Sequence, residues 1–171
     1  MTMNEKTNGK LNVKKLSECS VLAAIALIFS YVEFLVPISI GIPGIKLGLA
    51  NTVIVIALYT LDAKSAFVIN VVRIALAALL FGSVYSALYS MAGGVLSFAV
   101  MYLLKKSNLF SAIGVSMAGG VVHNFGQLLV SALALKTPKI LSYFPVLTIS
   151  GIITGIFIGI VAVLVIRRVG K

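Results

Sequence analysis

The sequence predicts an all-α membrane protein with six transmembrane helices, and three observations support this prediction. The 171 residues are 60% hydrophobic and only 11% are charged, whereas soluble domains are about a quarter charged. The mean hydropathy is +1.15. About 20 apolar residues cross a bilayer as one helix, and six apolar segments approach that length. One compact membrane domain therefore accounts for most of the chain.

The six segments are separated by short polar connections or by connections rich in glycine and proline. They cover about residues 16–37, 46–61, 65–82, 83–104, 109–135 and 143–166. The second is short, and the turn between the third and fourth is tight enough to require a helical hairpin. A basic N-terminal segment (1–15) precedes this domain (16–166), and a basic tail (167–171) follows it. We interpret the first segment as a retained helix because no clear signal-peptide cleavage site follows it.

The charges predict the orientation of the helices. The chain carries 14 Lys and Arg against 4 Asp and Glu, and basic residues collect on the cytoplasmic side of membrane proteins. A cytoplasmic N-terminus places ten of them inside: Lys6, Lys10, Lys14, Lys15, Lys64, Lys105, Lys106, Arg167, Arg168 and Lys171. It places three outside: Lys46, Lys136 and Lys139. Both termini are therefore predicted to be cytoplasmic, and the protein is predicted to lie in the plasma membrane.

Small residues indicate where helices approach closely. The hexapeptide "SMAGGV" occurs at 90–95 and again at 116–121, and "GIITGIFIG" places a glycine at every fourth position. Small residues at this spacing let helix backbones come together in lipid. We therefore expect helix packing at these glycines: Gly93, Gly119, Gly120, Gly151, Gly155 and Gly159.

Polar residues inside the apolar segments are the candidates for function, because they are costly in a membrane and usually face the bundle interior. "HNFGQ" supplies His123, Asn124 and Gln127. His123 and Gln127 continue a polar or small stripe along one helix face with Ser116, Gly120 and Ser131, and Asn124 lies beside this stripe. The stripe is explained either by hydrogen bonds between helices or by a ligand cavity.

A cavity that opens outward would gather polar and aromatic residues from several segments. Those predicted in the outer half are Glu33, Tyr85, Tyr89, Gln127, Tyr143 and Thr148. The connection "PISIGIPGIK" would cover the cavity as a lid over 38–46, with Lys46 at the entrance. Arg73 would either organise the bundle or neutralise an anionic group. The expected substrate-binding residues are Gln127, His123, Asn124, Glu33, Tyr89, Lys46 and Arg73.

The chain lacks the residues that several kinds of chemistry require. The chain has no phosphate-binding loop of the G-x-x-x-x-G-K-[ST] type, and Asp62 is its one aspartate. A single cysteine, Cys19, and a single histidine provide neither a metal cluster nor a nucleophile–base pair. We therefore expect no enzymatic activity, no cofactor and no nucleic-acid partner.

Four stretches resemble the Gx transporter family, which is also called heptaprenyl diphosphate synthase component I. They are "PGIKLGLANTV" (43–53), "LFGSVYSALYSMAGG" (80–94), "AGGVVHNFGQLLVS" (118–131) and "YFPVLTISGIITG" (143–155). The resemblance covers about residues 16–166. The family is similar to the S components of energy-coupling factor transporters, which are six-helix bundles that bind a small molecule and dock on a transmembrane coupling protein with two cytoplasmic ATPases.

The resemblance implies a substrate-binding subunit for uptake that has no ATPase of its own. It implies docking through small residues of the first helix, here Ser20, Ala23 and Ala24, although the strict Ala-x-x-x-Ala pattern is absent. The other family name implies instead a membrane partner of a prenyl diphosphate synthase, since one aspartate cannot form the aspartate-rich motifs of such a catalyst. A partner in a flavin or quinone electron-transfer system is a further alternative.

Overall fold

A computed structural model of the chain describes residues 3–35 and 48–169, with side chains from residue 13 onward. The described residues form six α-helices and one short 3₁₀ helix. The helices are α1 (Met3–Leu35), α2 (Leu49–Thr60), α3 (Ala63–Leu80), α4 (Val84–Ser107), α5 (Ala112–Ala134) and α6 (Phe144–Val169), and the 3₁₀ helix is Pro138–Tyr143. The prediction of an all-α protein with six helices is confirmed.

Three helices begin at a polar residue whose side chain accepts a hydrogen bond from the first helical turn. Asp62 accepts from the Ser65 amide at 3.0 Å, Ser83 from the Ser86 amide at 3.2 Å, and Ser111 from the Gly114 amide at 3.2 Å. Asp and Ser are among the preferred residues at this position because they satisfy an otherwise unbonded N–H group. The sequence therefore determines where α3, α4 and α5 start.

Five of the described helical segments are long and apolar enough to cross a membrane, and α2 is not among them. Its 12 residues extend about 18 Å at 1.5 Å per residue, whereas the hydrocarbon core is about 30 Å thick. The first helix is longer than predicted, because it begins at Met3 and includes the basic N-terminal segment. The number of helices that span the membrane and the side on which the termini lie remain predictions.

The short helix α2 lies at the centre of the bundle. It packs against α1, α3 and α6, while α3, α4, α5 and α6 pack in succession around it. Eight of its residues are buried: Ala50, Thr52, Val53, Ile54, Val55, Ile56, Ala57 and Leu58. A helix that is apolar on all sides is typical of an element surrounded by protein.

The two halves of the bundle differ in chemistry. We call the half toward the α2–α3 and α4–α5 connections the core half, because it holds the main hydrophobic cluster. That cluster comprises Ile54, Val55, Ile56, Ala57, Leu58, Ala66, Ile69, Phe98, Met101, Val115, Ile158 and Ala162. The half toward the α3–α4 and α5–α6 connections is called the polar half, because the hydrogen-bonded polar side chains of α1, α3 and α5 lie there.

Glycines bring α5 and α6 into backbone contact. A Cβ atom on Gly155 would lie 2.6 Å from the Met117 Cα, and one on Gly159 would lie 2.7 Å from the Ile113 Cα. Gly151 meets the backbone of Gly120 and Val121 in the same way. The glycine repeat of α6 therefore forms the seam along which α5 packs, as expected for small residues in membrane helices.

The end of the core half is strongly basic. In the described side chains it carries Lys14, Lys15, Lys64, Lys105, Lys106, Arg167 and Arg168, against Lys136 and Lys139 at the other end. Lys15 forms an ion pair of 2.6 Å with Asp62. The hydrogen bond from Lys15, together with those from Ser65, holds the pKa of Asp62 far below its usual range. This pair ties α1 to the α2–α3 connection.

A methyl group at Gly155 is predicted to destabilise the bundle. Gly155→Ala would place its Cβ 2.6 Å from the Met117 Cα, and overpacking of this kind costs about 1–3 kcal/mol. Gly114→Ala is the matched control, since its Cβ would meet nothing closer than 3.7 Å. Thermal unfolding in detergent should show a lower midpoint for Gly155→Ala and an unchanged or higher midpoint for Gly114→Ala. Equal midpoints would contradict the packing described.

The Lys15–Asp62 pair should make stability fall in acid. Because the folded pKa of Asp62 is lowered, its stabilising effect is complete above the ordinary value of about 4 and is lost as pH falls below it. Asp62→Asn keeps a capping oxygen but removes the pair, so its midpoint should depend less on pH. Both side chains are more than a third exposed, so solvent screens the pair. The thermal midpoint of Asp62→Asn at neutral pH should therefore differ little from that of the unaltered protein. Glu18→Gln, whose contact with Lys14 is 3.9 Å, serves as the control.

Candidate functional site

The buried guanidinium of Arg73 is the centre of the polar half. Its side chain is only 7% exposed. Nε and Nη2 donate to Asn70 Oδ1 at 3.2 and 3.0 Å, and Nη2 also donates to Asn51 Oδ1 at 2.9 Å. Nη1 donates to Ser30 Oγ at 3.4 Å. Arg73 therefore joins α1, α2 and α3 through hydrogen bonds to neutral side chains.

Glu33 supplies the negative charge beside Arg73 and also caps α2. Its Oε1 accepts a hydrogen bond of 2.7 Å from the Leu49 amide, and it interacts electrostatically with Arg73. The residue at the cap position, Gly48, has φ of 74° and offers no side-chain bond. A carboxylate at a helix N-terminus is favourable because the helix dipole is positive there. The carboxylate of α1 thus performs the capping that Gly48 cannot.

Two adjacent glycines of α4 connect Arg73 to the helix that carries the predicted stripe. Asn70 Nδ2 donates to the Gly94 carbonyl at 3.1 Å, and a Cβ atom on Gly94 would lie 2.9 Å from Ile74 Cδ1. Gly93 faces the other way, toward α5, where a Cβ would lie 2.7 Å from the His123 carbonyl oxygen. The pair therefore lets α4 approach α3 and α5 closely at one level of the bundle.

His123 and Gln127 both lie against Gly93. A Cβ atom there would be 3.0 Å from His123 Nδ1 and 3.0 Å from Gln127 Cγ. Both side chains are partly exposed rather than buried. Within the part of the chain that the structure describes, the amide of Gln127 makes no hydrogen bond, whereas its backbone carbonyl accepts one from Ser131. This side of α5 therefore presents an accessible Gln127 amide, whereas Nδ1 of His123 is buried.

Asn124 occupies a different side of α5. It is buried, and its Nδ2 donates to the Leu147 carbonyl of α6 at 2.9 Å. A hydrogen bond between helices is one of the two explanations that the sequence left open for these polar residues, and Asn124 makes such a bond. Because its amide is directed at the α6 backbone, Asn124 lies away from the side chains that adjoin Gly93.

The remaining candidates lie on α1, on α4 and in the proposed lid. Tyr89 is partly exposed and lies four residues before Gly93, so it shares the α4 face that turns toward α5. Lys46 and the proposed lid over 38–46 lie outside the described residues. Ser20 and Ala24 are exposed on α1, whereas Ala23 packs against the hydrophobic cluster. Docking through these three residues remains a prediction.

Residues that sequence reasoning did not select complete the site. Asn51 and Asn70 hold the guanidinium, and Gly94 receives the bond from Asn70. The spacing of Asn70 and Arg73, three residues apart on one helix face, was the available signal for that pair. Nothing in the sequence relates Asn51 to Arg73, because the contact depends on how α2 enters the bundle.

A second polar contact at the other end of α2 was also missed. Lys105 of α4 donates a hydrogen bond to the Leu58 carbonyl, and its ammonium lies 4.9 Å from the centre of the Tyr59 ring. In the described residues no group of His, Cys, Asp and Glu is arranged to hold a metal ion.

These features define a class of protein: a helical membrane bundle with an apolar core half and a charged, hydrogen-bonded polar half. The chain belongs to the family described as heptaprenyl diphosphate synthase component I, whose model matches residues 22–165. That match covers all six helices at least in part. No curated protein and no solved structure matches the chain.

Removal of the Arg73 charge is predicted to destabilise the fold strongly. Arg73→Met would remove the donor to Asn51 and Asn70 and the cation near Glu33, and each buried acceptor left unsatisfied costs about 1–3 kcal/mol. Arg73→Lys should be intermediate, because a lysine cannot make the forked contact with Asn70. Arg167→Met, which removes an exposed arginine, should change little. The readout is the thermal midpoint of the purified protein, and similar midpoints for Arg73→Met and Arg167→Met would contradict this role.

Proposed function

We propose that this protein is a membrane subunit that binds a small molecule in its polar half and relies on other chains for energy. The main support is the accessible amide of Gln127 on α5. Gln127 and His123 are partly exposed beside Gly93, although exposure of polar groups to lipid is unfavourable. A ligand or water between the helices would satisfy the Gln127 amide. This is the substrate-binding role that the resemblance to S components implies.

The candidate site residues have two roles in this proposal: some hold the site in shape and others contact the ligand. Arg73, Glu33 and Asn124 have their polar groups directed at neighbouring helices, so in this proposal they shape the site. Gln127, His123 and Tyr89 contact the ligand. Ligand sites commonly combine a few oriented polar groups with an apolar surround, and the polar half offers that combination.

The proposal assigns binding rather than catalysis to this chain. Asp62, its one aspartate, is paired with Lys15 and caps α3. It therefore does not contribute to a metal-binding motif. The basic end of the core half would face the cytoplasm under the positive-inside rule. In that orientation the polar half opens outward, and the coupling protein and ATPases would dock from the cytoplasmic side.

A second candidate function is supported by the family description, which names a component of a prenyl diphosphate synthase. Under this alternative the chain is a membrane partner of a synthase, and the basic end of the core half receives the catalytic subunit. Pull-down from solubilised membranes separates the two. Recovery of ATPase and coupling subunits supports the transport role, whereas recovery of a prenyl synthase supports the alternative.

The binding site is tested by a change at Gln127. The protein is purified in detergent, small molecules that co-purify are identified by native mass spectrometry, and their affinity is measured by calorimetry. Gln127→Ala should weaken binding by about tenfold, which corresponds to one lost hydrogen bond of about 1.4 kcal/mol. Leu133→Ala is the control, because Leu133 lies on the exposed side of the same helix.

Two results would contradict the proposal. One is the absence of any co-purified small molecule from protein that is folded and isolated from its native membrane. The other is unchanged affinity in Gln127→Ala together with unchanged affinity in Tyr89→Phe, which removes only a hydroxyl group.

A further inference from the structure

Helix α2 is held at both ends by charged side chains from other helices. At its N-terminus the Glu33 carboxylate of α1 accepts from the Leu49 amide at 2.7 Å. At its C-terminus the Lys105 ammonium of α4 donates to the Leu58 carbonyl. A negative group at the start of a helix and a positive group at its end both interact favourably with the helix dipole. The two ends are about 18 Å apart.

Each end of α2 also belongs to a larger polar set. At the N-terminal end, Asn51 binds Arg73, which in turn contacts Asn70 and Ser30. At the C-terminal end, Tyr59 lies under the Lys105 ammonium. Two residues beyond Thr60, Asp62 forms the ion pair with Lys15 of α1. The helix therefore connects the polar set of one half with the basic end of the other.

The surroundings of α2 favour movement as a unit. Eight of its 12 residues are buried, and its side chains form the centre of the hydrophobic cluster. Since closely packed interiors deform little, a displacement of the N-terminal end is passed along the helix rather than absorbed within it. Helices α1 and α4 also contribute polar groups to both sets. Helix α2 differs from them because its two ends lie at the two sets and most of its residues are buried.

We propose that α2 transmits changes between the polar half and the basic end. A change in the contacts of Asn51 or Leu49 shifts α2, and this shift alters the contact of Lys105 with Leu58, about 11–14 Å along the helix, and the contacts of Asp62 beyond its end. The biological use of this coupling rests on the proposed function. In that setting α2 would signal to a partner docked at the basic end that the polar half is occupied. The coupling itself is a property of the chain alone.

The native cysteine provides a reporter of this coupling. Cys19 is partly buried on α1 and packs against the cluster that contains the core-half residues of α2. Asn51→Ala removes a contact of Arg73 at the far end. The rate of Cys19 alkylation by a water-soluble maleimide should change by about twofold or more, which is the lower limit of coupling between connected residues. Thr154→Val is the matched control, because among the described residues the Thr154 hydroxyl bonds to carbonyls of its own helix.

The reciprocal experiment covers the case in which Asn51→Ala does not fold. In a Cys19→Ser background, Gln127→Cys reports from the polar half, and Lys105→Met is compared with Lys106→Met. Lys106 is the exposed neighbour on the same helix. Labelling of the cysteine introduced on α5 should change with Lys105→Met alone.

The outcomes distinguish this inference from the proposed function. Labelling that changes only with Asn51→Ala or Lys105→Met supports transmission through α2. Unchanged labelling in folded variants overturns it, as does an equal change in the controls. Because both measurements use ligand-free protein, their failure leaves the ligand experiment at Gln127 unaffected, and a failure to find a ligand leaves the coupling result unaffected.

Discussion

The burial of one guanidinium group within an apolar helical bundle constrains most of the polar half. Arginine remains charged in proteins, and a buried charge is tolerated only with partners that satisfy it. Arg73 obtains them from Ser30, Asn51 and Asn70, with Glu33 as the nearby negative charge. These contacts fix the depth at which α2 starts, and the bond from Asn70 to the Gly94 carbonyl extends the constraint to α4.

The core half is organised by different forces. Apolar side chains of all six helices form one cluster around α2, and glycines hold α5 against α6 at backbone distance. Close packing of this kind is stiff, whereas the polar half depends on directional bonds between side chains. A rigid half and a half rich in hydrogen-bonding groups suit a subunit that binds at one end and docks at the other. Both candidate functions place a partner protein at the basic end, and the transport role adds a ligand in the polar half.

The polar stretch "HNFGQ" of α5 separates into two parts in the structure. Asn124 bonds to α6, whereas His123 and Gln127 lie beside Gly93 of α4. Residues next to each other in the sequence therefore have different contacts, because a helix turns by about 100° per residue. The sequence identified the polar stretch, but it could not show which of its residues contact α6 and which contact α4.

The sequence by itself determined the helical class, the approximate helix boundaries and the glycines of the α5–α6 seam. These follow from local properties: apolar length, capping residues such as Asp62 and Ser111, and the spacing of small residues. Tertiary structure alone decided that the short helix α2 lies at the centre of the bundle and that Glu33 caps it. It also brought Asn51 to Arg73 and Lys105 to Leu58. Those contacts join residues 16 to 47 positions apart, and no local pattern records which distant partner a polar side chain will meet.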